Sequence, residues 1–228
     1  MHFDLAYFFG LLFSTRFFGA VWMVVWITVV SMILGILIGT AGGIILTSPL
    51  PKIHPFIRAY VTFYRGIPVL VQIVFWYNGL AALTGGAINL PAITAGILAL
   101  GVNEGAYMTE IVRSGIQSVD RGQREASQAL NLKYWTMMRK VILPQAVRVA
   151  IPPTGNEVIN MIKNTTLLFT IAIPEVFGTA VNIYSQNFKY FEVLCVIALW
   201  YVAIAFVYTQ IQRQVERHFN RGRRGLYA

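Results

Sequence analysis

Charge is scarce in this sequence. Of its 228 residues only 12% are Asp, Glu, Lys or Arg, while 57% are hydrophobic and the mean hydropathy is +0.62. A soluble domain of this length carries about a quarter charged residues, so an integral membrane protein is predicted. Cysteine occurs once, as Cys195 inside an apolar run, which leaves neither a disulfide framework nor a thiolate metal site. The three histidines, His2, His54 and His218, fall on a terminus, a connection and a tail, so no metal centre is expected. No Gly-Lys dipeptide occurs, and with it the G-x-x-x-x-G-K-[ST] phosphate loop is excluded. The opening Met-His-Phe-Asp has no basic stretch and no small-residue cleavage site follows, so a secretory signal is not expected. Acid is scarcer than base, 9 residues against 18, for a net charge of +9. Nucleic-acid binders share that surplus, but here the bases sit in the gaps between apolar segments, as the positive-inside bias places them.

Those apolar segments define one transmembrane domain over residues 1–228, with no internal repeat and no linker. Residues 3–18 are aromatic-rich, contain Asp4 and Arg16, and read as an interfacial helix. Five spans follow, at about 21–47, 56–83, 91–113, 141–173 and 193–212. Pro68 is expected to kink or interrupt the second, and Pro152-Pro153 to kink the fourth. Gly35 and Gly39, four apart in the first span, have the spacing of ordinary close helix packing. Residues 174–190 read as a loop with room for a short helix, and Arg213 to Arg224 as a basic tail. The connections after spans one, three and five are rich in Lys and Arg, and those after two and four have none and one (Lys189). The N-terminus is therefore expected outside and the C-terminus in the cytoplasm.

The fourth span is unusually polar. If Arg113 and Arg148 mark the cytoplasmic boundary, Asn103 and Glu157 lie roughly 15 and 14 Å deeper, near the middle of a roughly 30 Å core. Polar groups at that depth line pathways or binding sites when they are not buried structural pairs, such as Glu104 with Lys163. At 100° per residue from Glu157, Met161 falls at about 40° and Asn164 at about −20°, while Lys163 is about 120° away. Asn103, Glu157, Met161 and Asn164 are the expected substrate pathway. Glu157 is suited to an ammonium or guanidinium group, and the amides to polar atoms.

The longest polar passage lies between spans three and four, at about 120–140. It carries Arg124, Lys133, Arg139 and Lys140 against one acid, Glu125. Ala126, Ala129 and Leu130 recur there at helical spacing and form a small apolar face that another protein could cover. Glu125-Ala126-Ser127, three residues, Asn131, nine residues, Val141, one residue, Leu143-Pro144 resembles the EAA loop of ABC importer permeases. Ser127, Asn131 and Val141 depart from that pattern. Asn for Gly is compatible with a left-handed turn at 131. Tyr64 to Gln72, Ala106 to Ser118, Leu143 to Ala146 and Lys163 to Leu167 are similar to runs of the polar amino-acid subfamily. Many relatives have Lys-Asp-Thr where Lys163-Asn164-Thr165 stands, and the missing carboxylate favours a polar or broad range of amino acids over a strictly dibasic one.

The resemblance implies an all-α fold of five transmembrane helices with a coupling helix. Glu125, Ala126, Ser127, Ala129, Leu130 and Asn131 would dock on a separate ATPase. The implied partners are ABC ATPase subunits that bind ATP and Mg, a second permease copy or homologue, and an extracytoplasmic amino-acid-binding protein. No cofactor is expected in this chain, and no enzyme activity of its own. The rival reading is a secondary transporter or channel coupled to ions or protons through Glu104, Glu157 and Lys163.

Overall fold

A computed structural model describes residues 3–220, and the part of the basic tail beyond 220 lies outside them. The described chain is helical without strands: α1 (Leu5–Leu12), α2 (Thr15–Thr47), α3 (His54–Gly66), α4 (Val69–Leu83), α5 (Ala92–Gln117), α6 (Arg121–Ala129), α7 (Tyr134–Ile171), α8 (Val176–Asn187) and α9 (Tyr190–Asn220). The single helix expected over 3–18 is two. Asp4 caps α1 by accepting from the Tyr7 N–H, and the chain then turns at Phe13 and Ser14 before α2 begins. Residues 213–220 continue α9 rather than forming a separate tail. The expected short helix is present after Pro174 as α8.

Among the described residues two helices, α2 and α9, are long and apolar enough to cross a bilayer unaided. Two broken pairs, α3 with α4 and α7 with α8, reach that length and composition together. Ile67 and Pro68 separate α3 from α4, because Pro68 supplies no N–H to continue the ladder. At Pro152-Pro153, by contrast, α7 runs on without interruption. Short π-helical turns lie inside α4 at Phe75–Gly79 and inside α7 at Met138–Ile142, and α7 ends in a 3₁₀ stretch, Thr165–Ile171.

The described residues form two compact units. The first comprises residues 3–33, 67–101 and 158–209. Its core has two apolar clusters, one around Phe17, Val24, Ile162, Val176 and Val196, the other around Ile27, Ile73, Leu100, Met161 and Leu168. Its N-terminal edge is clamped by an Asp4 to Lys189 ion pair of 2.7 Å, with the Lys189 ammonium 4.2 Å from the Tyr7 ring centre. The hydrogen bond and charge of Lys189 hold the Asp4 carboxyl below its ordinary range, and the same bond raises Lys189.

The second unit comprises residues 34–66, 102–157 and 210–220. Here α2 and α5 touch through glycine. A Cβ added at Gly39 would fall 2.7 Å from the Met108 carbonyl carbon, and one at Gly35 would fall 2.6 Å from the Glu104 stem. Removal of the side chain is what allows two backbones this close. Beneath residues 120–140, Ile116, Val119, Met137, Met138, Ile142 and Ala146 make a separate apolar core.

Candidate functional site

The loop helix α6 is fixed at both ends by the chain itself. At its start Asp120 accepts the Gly122 N–H at 2.7 Å, which is an N-cap. At its end Leu132 N–H donates to the Ser127 carbonyl (3.0 Å) and Asn131 N–H to that of Gln128 (2.8 Å). This is the paired bonding of a Schellman turn, and Asn131 takes the left-handed φ of 51° that such a turn needs. Capping thus falls to Asp120, and Glu125 is exposed. Ser127 is buried and its hydroxyl donates to the Gln123 carbonyl at 2.7 Å. Arg124 reaches back to the Ile116 carbonyl in the last turn of α5 at 2.8 Å, a cation at the negative end of that helix. Tyr134 donates to the Thr47 carbonyl at the end of α2 at 3.3 Å.

Glu125, Ala126, Ala129 and Leu130 are outward on this scaffold, the last 74% exposed, together with the polar Arg121, Gln123 and Gln128. Trp135, at the start of α7, is a further large apolar side chain of this connection that is exposed, at 63%. Sequence reading missed it because a tryptophan in a span-rich chain is usually lipid-facing; its place four residues past Asn131 was the available signal.

The expected pathway residues take different positions. Asn103 is buried and donates its amide to the Tyr64 carbonyl at 3.0 Å, while the Tyr60 hydroxyl donates to the neighbouring Val102 carbonyl at 2.6 Å. Both bonds tie α3 to α5, and the Arg65 guanidinium adds a cation–π contact 5.2 Å from the Tyr107 ring centre. Glu157 and Asn164 are half-buried on α7, Lys163 is exposed, and Met161 is packed in an apolar cluster of its own unit. Glu104 is buried against Gly35, and its Oε1 has no hydrogen-bond partner among the described residues. Glu110 and Arg113, three residues apart on α5, form an ion pair at 2.6 Å.

A further buried acid escaped the sequence reading. Glu175 caps α8, accepting from the Phe177 N–H at 2.9 Å and the Gly178 N–H at 2.6 Å, and also accepts the Tyr201 hydroxyl at 2.8 Å. Glu is not among the usual N-cap residues, so the sequence carried no signal for this cap.

Residues 31–221 match the family described as binding-protein-dependent transport system inner membrane component. This chain belongs to that family. The permease is 39% identical over 226 residues to the arginine transport system permease protein ArgU of Corynebacterium glutamicum, covering 92% of this chain and 70% of that one. It is 33% identical over 195 residues to the glutamine transport system permease protein GlnP of Escherichia coli, covering 86% and 89%. Among solved structures it is similar to the crystal structure of an amino acid ABC transporter with histidines, at 32% identity and a TM-score of 0.86, over 96% of this chain and all of that one. The MetNI methionine ABC transporter, at 20% identity and a TM-score of 0.77 over 90% and 96%, shares the fold. The permease is a transport component of the inner membrane and not itself an enzyme; ATP is hydrolysed on separate ATPase subunits.

Proposed function

We propose that this permease carries a polar amino acid inward across the cytoplasmic membrane through five transmembrane helices, N-terminus out and C-terminus in. The count takes α2, α9, the two broken pairs and the polar helix α5 as one crossing each, and the orientation rests on the Lys- and Arg-rich connections. The residues assigned to the pathway at mid-membrane are Asn103, Glu157, Met161 and Asn164. Relatives named for arginine and glutamine transport support a polar amino acid as the solute. ATP and Mg are bound by two ATPase subunits, a second permease copy or homologue completes the pathway, and an extracytoplasmic binding protein delivers the solute.

The observation that carries this reading is the exposed strip of Ala126, Ala129 and Leu130 beside Glu125, on a helix capped at both ends and anchored from behind by Ser127 and Arg124. Small side chains let a partner backbone approach closely, and Glu125 is available to pair with a base on that partner. In Ala126→Arg the protein is expected in the membrane at normal level, with uptake at background because the added bulk blocks the ATPase groove. Normal uptake by that variant would remove the loop from the mechanism. For the orientation, a thiol at Gly85 should react with an impermeant reagent from outside and one at Gly122 should not; the reverse labelling overturns the five-span topology.

A further inference from the structure

A cleft of about 400 Å³ in the first unit shares no residue with the pathway or the loop. From α2 it is lined by Arg16, Gly19, Ala20 and Met23, whose spacing makes them one stripe that starts in the first helical turn. The facing wall comes from α8, where Thr179, Asn182 and Gln186 form a second stripe beside Ile183. A Cβ added at Gly19 would meet nothing within 4 Å, so the missing side chain there is open space.

Arg16 is exposed, and among the described residues it has neither an ion pair nor a hydrogen bond. It also stands in the first turn of a 33-residue helix that has no acid there. A cation at the positive end of a helix dipole is unfavourably placed, and an anion bound beside it would complement both charges. Phe18 and Trp22, 50% and 68% exposed, lie on the same two turns of α2. Tryptophan is enriched where water meets lipid, and Arg16 stands about 9 Å nearer the start of the helix than Trp22, which puts the guanidinium at headgroup height. From there Gly19, Ala20 and Met23 run about 10 Å along the helix toward the apolar interior.

We propose that this cleft binds an anionic phospholipid. Its phosphate sits on the Arg16 guanidinium, where the planar fork can donate to two oxygens, and the amides of Asn182 and Gln186 offer further hydrogen bonds to the headgroup, while the Thr179 hydroxyl is held by the Pro174 carbonyl. One acyl chain lies along Gly19, Ala20 and Met23. A cationic mouth that continues into an apolar floor, open over Gly19, suits an amphiphile and not an acidic protein segment, which would leave the floor uncovered. The inference needs only that α2 crosses the bilayer and is independent of which solute is carried.

The test uses the full chain in nanodiscs of mixed phosphatidylglycerol and phosphatidylcholine, with retained lipid counted by native mass spectrometry. The wild type should retain phosphatidylglycerol over phosphatidylcholine by roughly tenfold, as expected of a charge-assisted contact. Arg16→Gln should abolish the preference, and Gly19→Leu should lose the retained lipid altogether while monodispersity is unchanged. Equal retention in all three proteins overturns the proposal, as does a preference that survives in Arg16→Gln. Displacement of phosphatidylglycerol by millimolar inorganic phosphate alone would make this a free-phosphate site and overturn the lipid assignment. Unchanged lipid retention combined with weaker capture of the binding protein by Arg16→Gln would overturn it in favour of an acidic protein contact.

Discussion

The amide of Asn103 donates to the Tyr64 carbonyl at 3.0 Å, four residues before Pro68, the one residue type that cannot donate to that carbonyl along the helix. A side chain of α5 therefore supplies a bond that the proline removed from α3. Asn103→Leu should destabilise the purified protein by about 1 kcal/mol, the usual net value of a hydrogen bond, and lower the thermal midpoint by a few degrees. The same change in a Pro68→Ala background should cost less, because residue 68 then has an N–H. A double-mutant cycle with no coupling would separate Asn103 from the break.

Gly39 carries the closest approach of α2 to α5. Gly39→Ala should destabilise by about 1–3 kcal/mol, since the new methyl would press on the Met108 backbone, which cannot rotate away. Gly10→Ala is the matched control: it too lies inside a helix, but nothing stands within 4 Å of its added Cβ. That change should be neutral or slightly stabilising. Comparable thermal midpoints for the two variants would contradict the packing argument.

The Asp4 to Lys189 clamp sets a pH window. The Asp4 carboxyl is lowered from 3.8 by its bond to Lys189, so its contribution is complete above that value and is lost as the pH falls below it. Lys189 is raised from 10.5 by the same bond, so its contribution is complete below that value and is lost as the pH rises above it. Protease nicking near Ser14 should therefore be constant from about pH 5 to 9 and increase on the acid side. Asp4→Asn should show the increased nicking at every pH. An unchanged pattern in Asp4→Asn would show that the clamp does not hold α1.

Glu157→Gln should lower uptake at least tenfold for cationic amino acids and less for neutral ones, while the ATPase subunits still assemble. Radiolabelled uptake in proteoliposomes measures both. Unchanged uptake of every solute would make Glu157 a structural residue.

The membrane class, the break at Pro68 and the shared face of Ala126, Ala129 and Leu130 were legible in the sequence because each is a local property. Hydropathy along 15–47 needs no knowledge of the fold, Pro68 lacks its N–H in any context, and Ala126, Ala129 and Leu130 share a face on any helix that contains them. Even the left-handed turn at Asn131 followed from the residue type. Contacts between distant segments were decided only in three dimensions. That Asn103 faces the Tyr64 carbonyl, that Glu104 lies against Gly35, and that Glu175 both caps α8 and accepts from Tyr201 depend on helices joined through long intervening chain. A buried polar side chain announces its depth by sequence position, but its partner is set by the rotation and approach of the neighbouring helix, which glycines such as Gly35 and Gly39 control. The Arg16 cleft belongs to the same class: its two stripes, on α2 and α8, are more than 150 residues apart in the chain, and only packing turns them toward one space.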